Sequence, residues 1–579
     1  MKNILTYFTF ITLLVCTNQE IKSQTIEATY TPSFKVNDYQ QLNILGKIDG
    51  KAVGRIENYK TMRNVYSKAS YLVYLENLDN NNIITEKFTY PILPNQASTN
   101  NLVLYDVFLM NDHLKFILGY DCEKEKENCV AIYSVEPSTL KPFDEDATSI
   151  DVFELDNSNQ SEQANKQNIT RYFKLSDDSS SLLVVSSYLS SENGINQSEI
   201  EKQYNINVRE FDINSLDLKS ETELQTDVPV LNYELSQFNL TKSKQLILGF
   251  SRNPKFQIVS VDSEKIDIGP DKEDIIIYSG KVKSDKFERN GMNLFRPSRR
   301  LLEHHLQIDD SNIHLITLFR DTIREDKKVV MYIPGYEIVT LNMEDLLETS
   351  SCELRPSPAQ TAMCMPNKEN ITKQSSEMAL ATYYSRISDI KKTDNGNWII
   401  CSSTDYGMDQ TLFSGYILVA RFDPKSKDNS WLRLVPKFQE STDGTLGLGY
   451  SFEVLKEDVF LTMNDLQSNI SVISDLDDLS INGKSLGESI PKINTKMIYK
   501  PYKRQPSNVI RIDKLSEKGV ISHSYIKVLP EIKNFLPTPT VSWTNNEGYL
   551  YILGLFEYDL MLDRFREFNF IKINLNTIK

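Results

Sequence analysis

Only five histidines, His113, His304, His305, His314 and His523, are available for acid–base work near neutral pH. Two of them are adjacent in "RPSRRLLEHHLQ", next to Glu303 and just after Arg296, Arg299 and Arg300. Successive side chains of a strand point to opposite faces, so His304 and His305 cannot share one ion without a bulge. His305 would share a face with Gln307, and His304 with Leu306. One ring is read as turn surface and the other as groove lining, and no metal site is expected. The three arginines are the chain's one concentrated positive patch. Planar guanidinium groups grip carboxylates and similar anions bidentately, so an anionic glycan or an acidic partner is the chemistry they could serve. The plainer alternative is a rim loop that neutralises its acidic neighbours "EDLLE" and "DDS". Binding candidates are therefore Arg296, Arg299, Arg300, His304 and His305.

No nucleophile elbow, phosphate loop or dinucleotide loop occurs, since "GLGYSF" lacks its third glycine. The acidic run "DLDDLSING" departs from the calcium-loop order at its fifth position and is read as a solvated loop. Catalytic residues cannot be named from these patterns, and no cofactor is implied. Asp and Glu number 79 against 64 Lys and Arg, a net charge of −15, which excludes a phosphate-neutralising nucleic-acid surface. Hydrophobic residues make up 40%, enough for a sizeable core, and 29 Tyr with 26 Phe favour strands over helices.

The opening "MKNILTYFTFITLLVCTNQEIKSQ" has the charged, apolar and polar layout of a secretory leader. Its apolar run is shorter than the ~20 residues a membrane span needs. Cleavage is expected after Ser23, leaving Gln24 as the new terminus, and the mature chain then holds no transmembrane segment. Lipid attachment at Cys16 is the weaker reading, because Val15 is bulky where that motif wants a small residue. In an exported chain, close cysteines suggest disulfides. Cys122 and Cys129 flank a charged tip between two apolar runs, Cys352 and Cys364 bracket a Pro-containing loop, and each pair is expected to be bridged. Cys401, in "NWIICSS", reads as a buried thiol.

Strands must position whatever these residues do. One pattern, an apolar strand, a turn of Asp, Asn, Ser or Gly, then a second apolar strand, recurs from Val107, Tyr172, Tyr233, His305, Ile387, Ser451 and Thr540. Asp, Asn and Ser suit such turns because their side chains bond nearby backbone, and Asn395-Gly396 is the strongest hairpin signal. Between copies lies a second pattern, as in "VREFDINSLDL" and "YEIVTLNMEDL", in strict alternation. The spacing of roughly 73 residues predicts one blade of a β-propeller per pair. The expected fold is all-β, a single propeller over residues 24–579 with seven blades, or eight if residues 25–65 form a further sheet. The chain ends on a second-pattern strand without a partner, so N-terminal strands, the hairpin at 71–93 among them, are expected to pair there antiparallel and cover the edge. Separate β-sandwich domains are the competing architecture.

The stretch "GYILVARFDPKSKDNSWLRLVPKFQE" followed by "YSFEVLKEDVFLTMNDLQSN" resembles exported propeller-type proteins of Bacteroidota that have no assigned activity. Gly415, Phe422, Asp423, Trp431, Pro436, Lys437, Gln439, Asn464, Asp465 and Asn469 carry the likeness, and the leader ending "KSQ" is similar too. The resemblance implies a cell-envelope location, periplasmic or at the surface, and no particular reaction. Together these readings predict a monomeric, non-catalytic propeller that binds an envelope protein or glycan. The alternative is a glycan-cleaving hydrolase or lyase with a non-contiguous site in the channel mouth.

Overall fold

The computed structural model describes residues 24–26, 28–31, 34–35, 40–48, 51–58, 70–77, 82–87, 103–110, 113–121, 128–136, 139, 141, 148–149, 170–176, 180–189, 203–229, 233–252, 273–284, 286–294, 296, 299–309, 311–325, 328–356, 360, 385–408, 411–441, 449–466, 469, 508–527, 536–556 and 567–578, some strands by backbone alone. These residues are all-β and form eight sheets, each built on consecutive antiparallel strands, with short N-terminal strands added to two of them. Two compact units hold them: residues 37–355, and residues 1–36 with 356–579. No helix among the described residues is long and apolar enough to cross a membrane.

The first unit contains five sheets. The first runs Gln40–Ile48, Lys51–Asn58, Ser70–Asn77 and Asn82–Lys87. The second runs Val103–Met110, His113–Asp121, Asn128–Val135 and Thr148–Ser149. The third comprises Thr170–Leu175, Ser181–Leu189, Gln203–Asp212 and Leu218–Pro229. Tyr233–Leu240, Gln245–Arg252, Ile275–Lys281 and Glu288–Met292 make the fourth. Arg299–Ile308, Asn312–Glu325, Lys328–Asn342 and Glu348–Leu354 make the fifth. In the other unit, the sixth sheet is Ser385–Lys392, Trp398–Met408, Thr411–Phe422 and Trp431–Ser441. The seventh is Tyr450–Leu455, Asp458–Leu466, Asn508–Leu515 and Ile521–Lys527. The eighth has three C-terminal strands, Leu536–Thr544, Tyr549–Phe556 and Glu567–Asn574.

Seven of these sheets begin at the seven copies of the first pattern, so the repeat is a repeat of sheets. The remaining sheet is the first, over residues 40–87. There the hairpin expected to cover the last strand instead continues the sheet begun by 40–58, because Ser70–Asn77 pairs with Lys51–Asn58. Shorter segments take the C-terminal edge. Thr29 and Tyr30 pair antiparallel with Lys572 and Ile571, and Phe34 and Lys35 with Phe568 and Glu567. Gln24 and Thr25 add in parallel to Ser524 and Tyr525 of the seventh sheet.

Alternation along the strands makes the third, fourth and seventh sheets partitions between two cores. Leu182 and Val184 pack on Ile117, Val130 and Ile132 of the second sheet. Their neighbours Leu183 and Val185 pack on Leu246, Leu248 and Phe250 of the fourth. Ile247, Ile275 and Ile277 then face Ile313, Leu315 and Phe319 of the fifth sheet. The other unit repeats this arrangement, with Leu461 and Met463 against Ile399 and Val419. Phe460 turns the other way, toward Ile552 and Ile571.

Turns close on a recurring side-chain cap. Ser176 Oγ, Thr241 Oγ1 and Thr393 Oγ1 accept the backbone N–H of Ser181, Gln245 and Asn397 across the first hairpin of their sheets. Asp309 caps Asn312, and Asn545 caps Tyr549. These acceptors stand in for the missing backbone partner of each turn. Gly396 adopts φ +86°, the left-handed geometry that closes the hairpin marked by Asn395-Gly396.

Cys401 is fully buried, with Sγ 3.3 Å from the Tyr450 hydroxyl, which in turn bonds Ser388 Oγ at 2.8 Å. Burial pushes its thiol up to about 12. Reaction needs the thiolate, so Cys401 should resist alkylation in native protein and react only in denaturant. Peptide mapping after iodoacetamide treatment checks this. Cys129 lies opposite Tyr120, and Cys352 opposite Ile338. Their expected partners Cys122 and Cys364 lie outside the described residues, as does the acidic run 475–483.

Candidate functional site

The sequence candidates sit at the start of the fifth sheet but do not converge. Arg299, whose side chain is only 6% exposed, is surrounded by acids. Its guanidinium reaches Asp321 Oδ1 at 3.0 Å, Glu337 Oε2 at 2.8 Å and Glu353 Oε2 at 2.8 Å, and lies 3.7 Å above the Phe319 ring. Arg355 covers the same ring at 5.2 Å and bonds Asp321 and Glu353. Arg296 approaches Glu337 at 3.6 Å. Burial works against the charge of Arg299, and Asp321 and Glu353 outweigh it, so the guanidinium stays firmly protonated. Burial likewise pushes the Glu353 carboxyl up, yet Arg299 and Arg355 hold it below the usual range.

Neutralisation within the sheet is therefore the work of Arg299, although its partners are not the loop acids named from sequence. They come from the second, third and fourth strands, which pairing lays beside Arg299. Removing this guanidinium with Arg299→Met should lower stability by about 2 kcal/mol, less than a fully buried pair because Arg355 still serves two of the acids. Urea unfolding measures it.

Arg300 pairs in register with Arg320, and His304 with Thr317. The His304 ring lies 3.0 Å from Thr317 Oγ1, whereas His305 Nε2 lies 3.1 Å from Glu303 Oε1. Burial and the adjacent His305 push His304 down to about 3, so its imidazole is neutral at physiological pH. The two rings thus have separate partners on separate faces. Among the described residues, no group of three or more His, Cys, Asp or Glu is arranged to hold a metal.

A second cluster gathers five of the ten residues that carried the sequence resemblance: Pro436, Gln439, Asn464, Asp465 and Asn469. Arg511, with a side chain 1% exposed, bonds Asp513 Oδ2 at 3.0 Å and also Asp465 and the Pro436 carbonyl. Asn469 donates to Asp465 at 2.7 Å, and His523 Nδ1 meets Asp513 Oδ1 at 2.6 Å. Gln439 donates to the Asn464 carbonyl at 2.8 Å, while Asn464 donates to the Pro537 carbonyl at 2.8 Å. Every one of these side chains is buried. Such a buried network fixes the seventh sheet against its neighbours.

Open space lies elsewhere, at the leading strands of the third, fourth and fifth sheets. A cavity of about 270 Å³ is lined there by Lys174, Gln237, Phe238, Asn239, Leu306 and Gln307, among others. Lys174 Nζ donates to the Phe238 carbonyl at 3.3 Å, and Gln237 Nε2 to the His304 carbonyl at 3.4 Å. The Gln237 side-chain carbonyl oxygen also accepts the Leu306 N–H. Each bond ties one leading strand to the next. Gly249 lets them come this close, since a Cβ there would stand 2.6 Å from Leu306 Cδ1.

None of the cavity residues was singled out from sequence, but a signal existed. Lys174, Asn239 and Gln307 each stand two residues before the turn cap of their sheet, Ser176, Thr241 and Asp309. Lys391 has the same place before Thr393 and donates to the Phe452 carbonyl at 2.5 Å. Aligning the copies on their caps would have revealed a polar column.

No protein-family model matches the chain, and no curated protein matches it. Similar solved structures include a prolyl endopeptidase, with TM-score 0.37 and 9% identity over 90% of this chain. The chain spans 55% of that protein's length. A levansucrase from B. megaterium has TM-score 0.28 and 12% identity, covering 56% of this chain and 88% of its own. An acylaminoacyl peptidase from Pyrococcus horikoshii has TM-score 0.32 and 14% identity, covering 74% of this chain and 50% of its own. Likenesses this distant assign no activity.

Proposed function

We propose that the eight sheets are blades of one exported β-propeller, in which residues 29–35 supply the outer strand of the last blade, and that it binds a protein or glycan at the cell envelope without catalysis. Consecutive packing of sheets through alternate faces supports the propeller arrangement within each unit. The observation that carries the binding reading is the polar cavity at the leading strands, lined by amides, a hydroxyl, an ammonium and apolar walls. Among the described residues its lining holds no carboxyl group and no histidine, whereas glycoside cleavage needs a pair of carboxyl groups across the bond. At the arginine cluster, Glu353 is held below its usual range, the opposite of the raised pKa that a general acid requires.

Export follows from the leader-like residues 1–23 and predicts a mature terminus at Gln24, which intact-mass measurement reads directly. For the binding itself, purified protein is applied to an array of bacterial envelope glycans, and the same glycans are assayed for new reducing ends. Retention without cleavage is expected. Release of reducing ends or unsaturated products would favour the glycan-cleaving alternative, and absence of retention leaves a protein partner as the binding target.

A further inference from the structure

We infer that the cavity between the leading strands of the third, fourth and fifth sheets binds one uncharged pyranose ring of an envelope glycan, an assignment that rests on the binding reading above. The site is built by repetition. Lys174, Asn239 and Gln307 occupy the same position of three successive sheets and all line the cavity. A structural role accounts for part of this set: Lys174 and Gln237 are committed to carbonyls of the next strand. Asn239 and Gln307 are different. The Asn239 side-chain carbonyl oxygen accepts the Leu240 N–H at 3.0 Å, which fixes the amide and presents its NH₂ as a donor. Gln307 is half-buried and makes no side-chain hydrogen bond to the described residues, so its amide offers both a donor and an acceptor.

Adjacent hydroxyls, each both donor and acceptor, match that pair of amides. Phe238, Leu306 and Ile308 supply apolar walls for the C–H faces of a ring. Volume restricts the ligand: about 270 Å³ falls just below the ~300–1,000 Å³ of sites that enclose drug-sized molecules, which suits a single ring. It is too small a recess to be a protein interface, which needs on the order of 1,000 Å² of buried surface. Charge selects the neutral class. The one ammonium in the lining already bonds a carbonyl, and a chain of net charge −15 repels anions at long range.

The test uses the full protein with methyl pyranosides of glucose, galactose, mannose and N-acetylglucosamine, and glucuronate as the charged probe, read by saturation-transfer NMR. At least one neutral pyranoside should bind, and Gln307→Ala and Asn239→Ala should each weaken it about tenfold with unchanged thermal midpoint. Should either alanine variant melt early, Gln307→Met or Asn239→Leu, which keeps much of the side-chain volume and removes the amide, replaces it. Absence of binding by every neutral probe, binding of glucuronate alone, or binding that survives in both variants overturns the assignment. The double variant on the glycan array separates this from the broader reading. Retention that persists there means a binder with another site, while no retention by the parent protein removes the glycan reading itself.

Discussion

Arg511→Met should lower folding stability by about 3–5 kcal/mol, the range for removing one partner of a buried ion pair. Methionine fills much the same space, so the loss comes from charge. Asp513 and Asp465 have side chains 0% and 4% exposed, and without the guanidinium both remain desolvated. Donation from Asn469 and the contact with His523 satisfy some oxygen lone pairs but do not replace the buried cation. Acidity then distinguishes the two proteins. Burial pushes the Asp513 carboxyl up, and Arg511 with His523 more than reverses this, so its net shift is downward. A depressed carboxyl contributes stability above its unfolded pKa of about 3.9, and that contribution fades as pH falls through the lower folded value. In the variant the Asp513 carboxyl, left with its burial, should titrate upward and gain stability on protonation. The deficit against the parent protein should therefore be larger at pH 8 than at pH 5. Urea unfolding at both values checks this, and a deficit under about 1 kcal/mol at each would mean that the cluster is solvated.

Deleting residues 24–36 is the second large effect expected. Ile26 is 8% exposed and packs among Ile512, Ile526, Ile571 and Ile573, while its N–H bonds the Tyr525 carbonyl at 3.0 Å. Thr31 and Phe570 exchange two bonds: the Thr31 N–H donates to the Phe570 carbonyl, and Thr31 Oγ1 accepts the Phe570 N–H, both at 2.9 Å. Burial of an isoleucine contributes about 1.5–3 kcal/mol, and each backbone bond about 1 kcal/mol. A loss of about 4 kcal/mol is expected, with concentration-dependent aggregation because Glu567–Asn574 becomes a bare edge. Ile26→Val should cost about 1 kcal/mol and Ile26→Asp nearly as much as the deletion. A melting midpoint unchanged by the deletion would show that these segments contribute nothing to the C-terminal sheets.

Local chemistry made much of the fold readable. Hairpin positions could be seen because a cap and a left-handed glycine are short-range signals, as at Thr393 and Gly396. The sheet at 40–87 was harder to place, because its four strands follow no clear copy of either pattern and its hairpin looked surplus. Segments as short as Thr29–Tyr30 carry too few residues for any period, although they hold the last strand's edge. For the site, the arginines were visible as a patch and their partners were not. Asp321, Glu337 and Glu353 lie 22, 38 and 54 residues from Arg299, and only strand pairing brings them together. Conversely, the motif residues Pro436, Asp465 and Asn469 stood out for a structural reason, since a buried arginine bonds the first two and Asn469 donates to Asp465.

Several of the bonds between neighbouring sheets run forward along the chain. Lys174 donates forward to Phe238, Gln237 forward to His304, Lys391 forward to Phe452 and Asn464 forward to Pro537. In each of these four bonds the donor leaves the ribosome, or crosses a translocation pore, before its acceptor. A sheet that forms early presents an ammonium or amide still hydrated, and the following sheet captures it on arrival. Water can satisfy each waiting donor in the interval, so a pause in synthesis between sheets strands no buried polar group. Reversing the order, as in a circular permutant cut between Lys174 and Phe238, would bury the carbonyl first and place its donor last, and refolding of that permutant should slow at the junction.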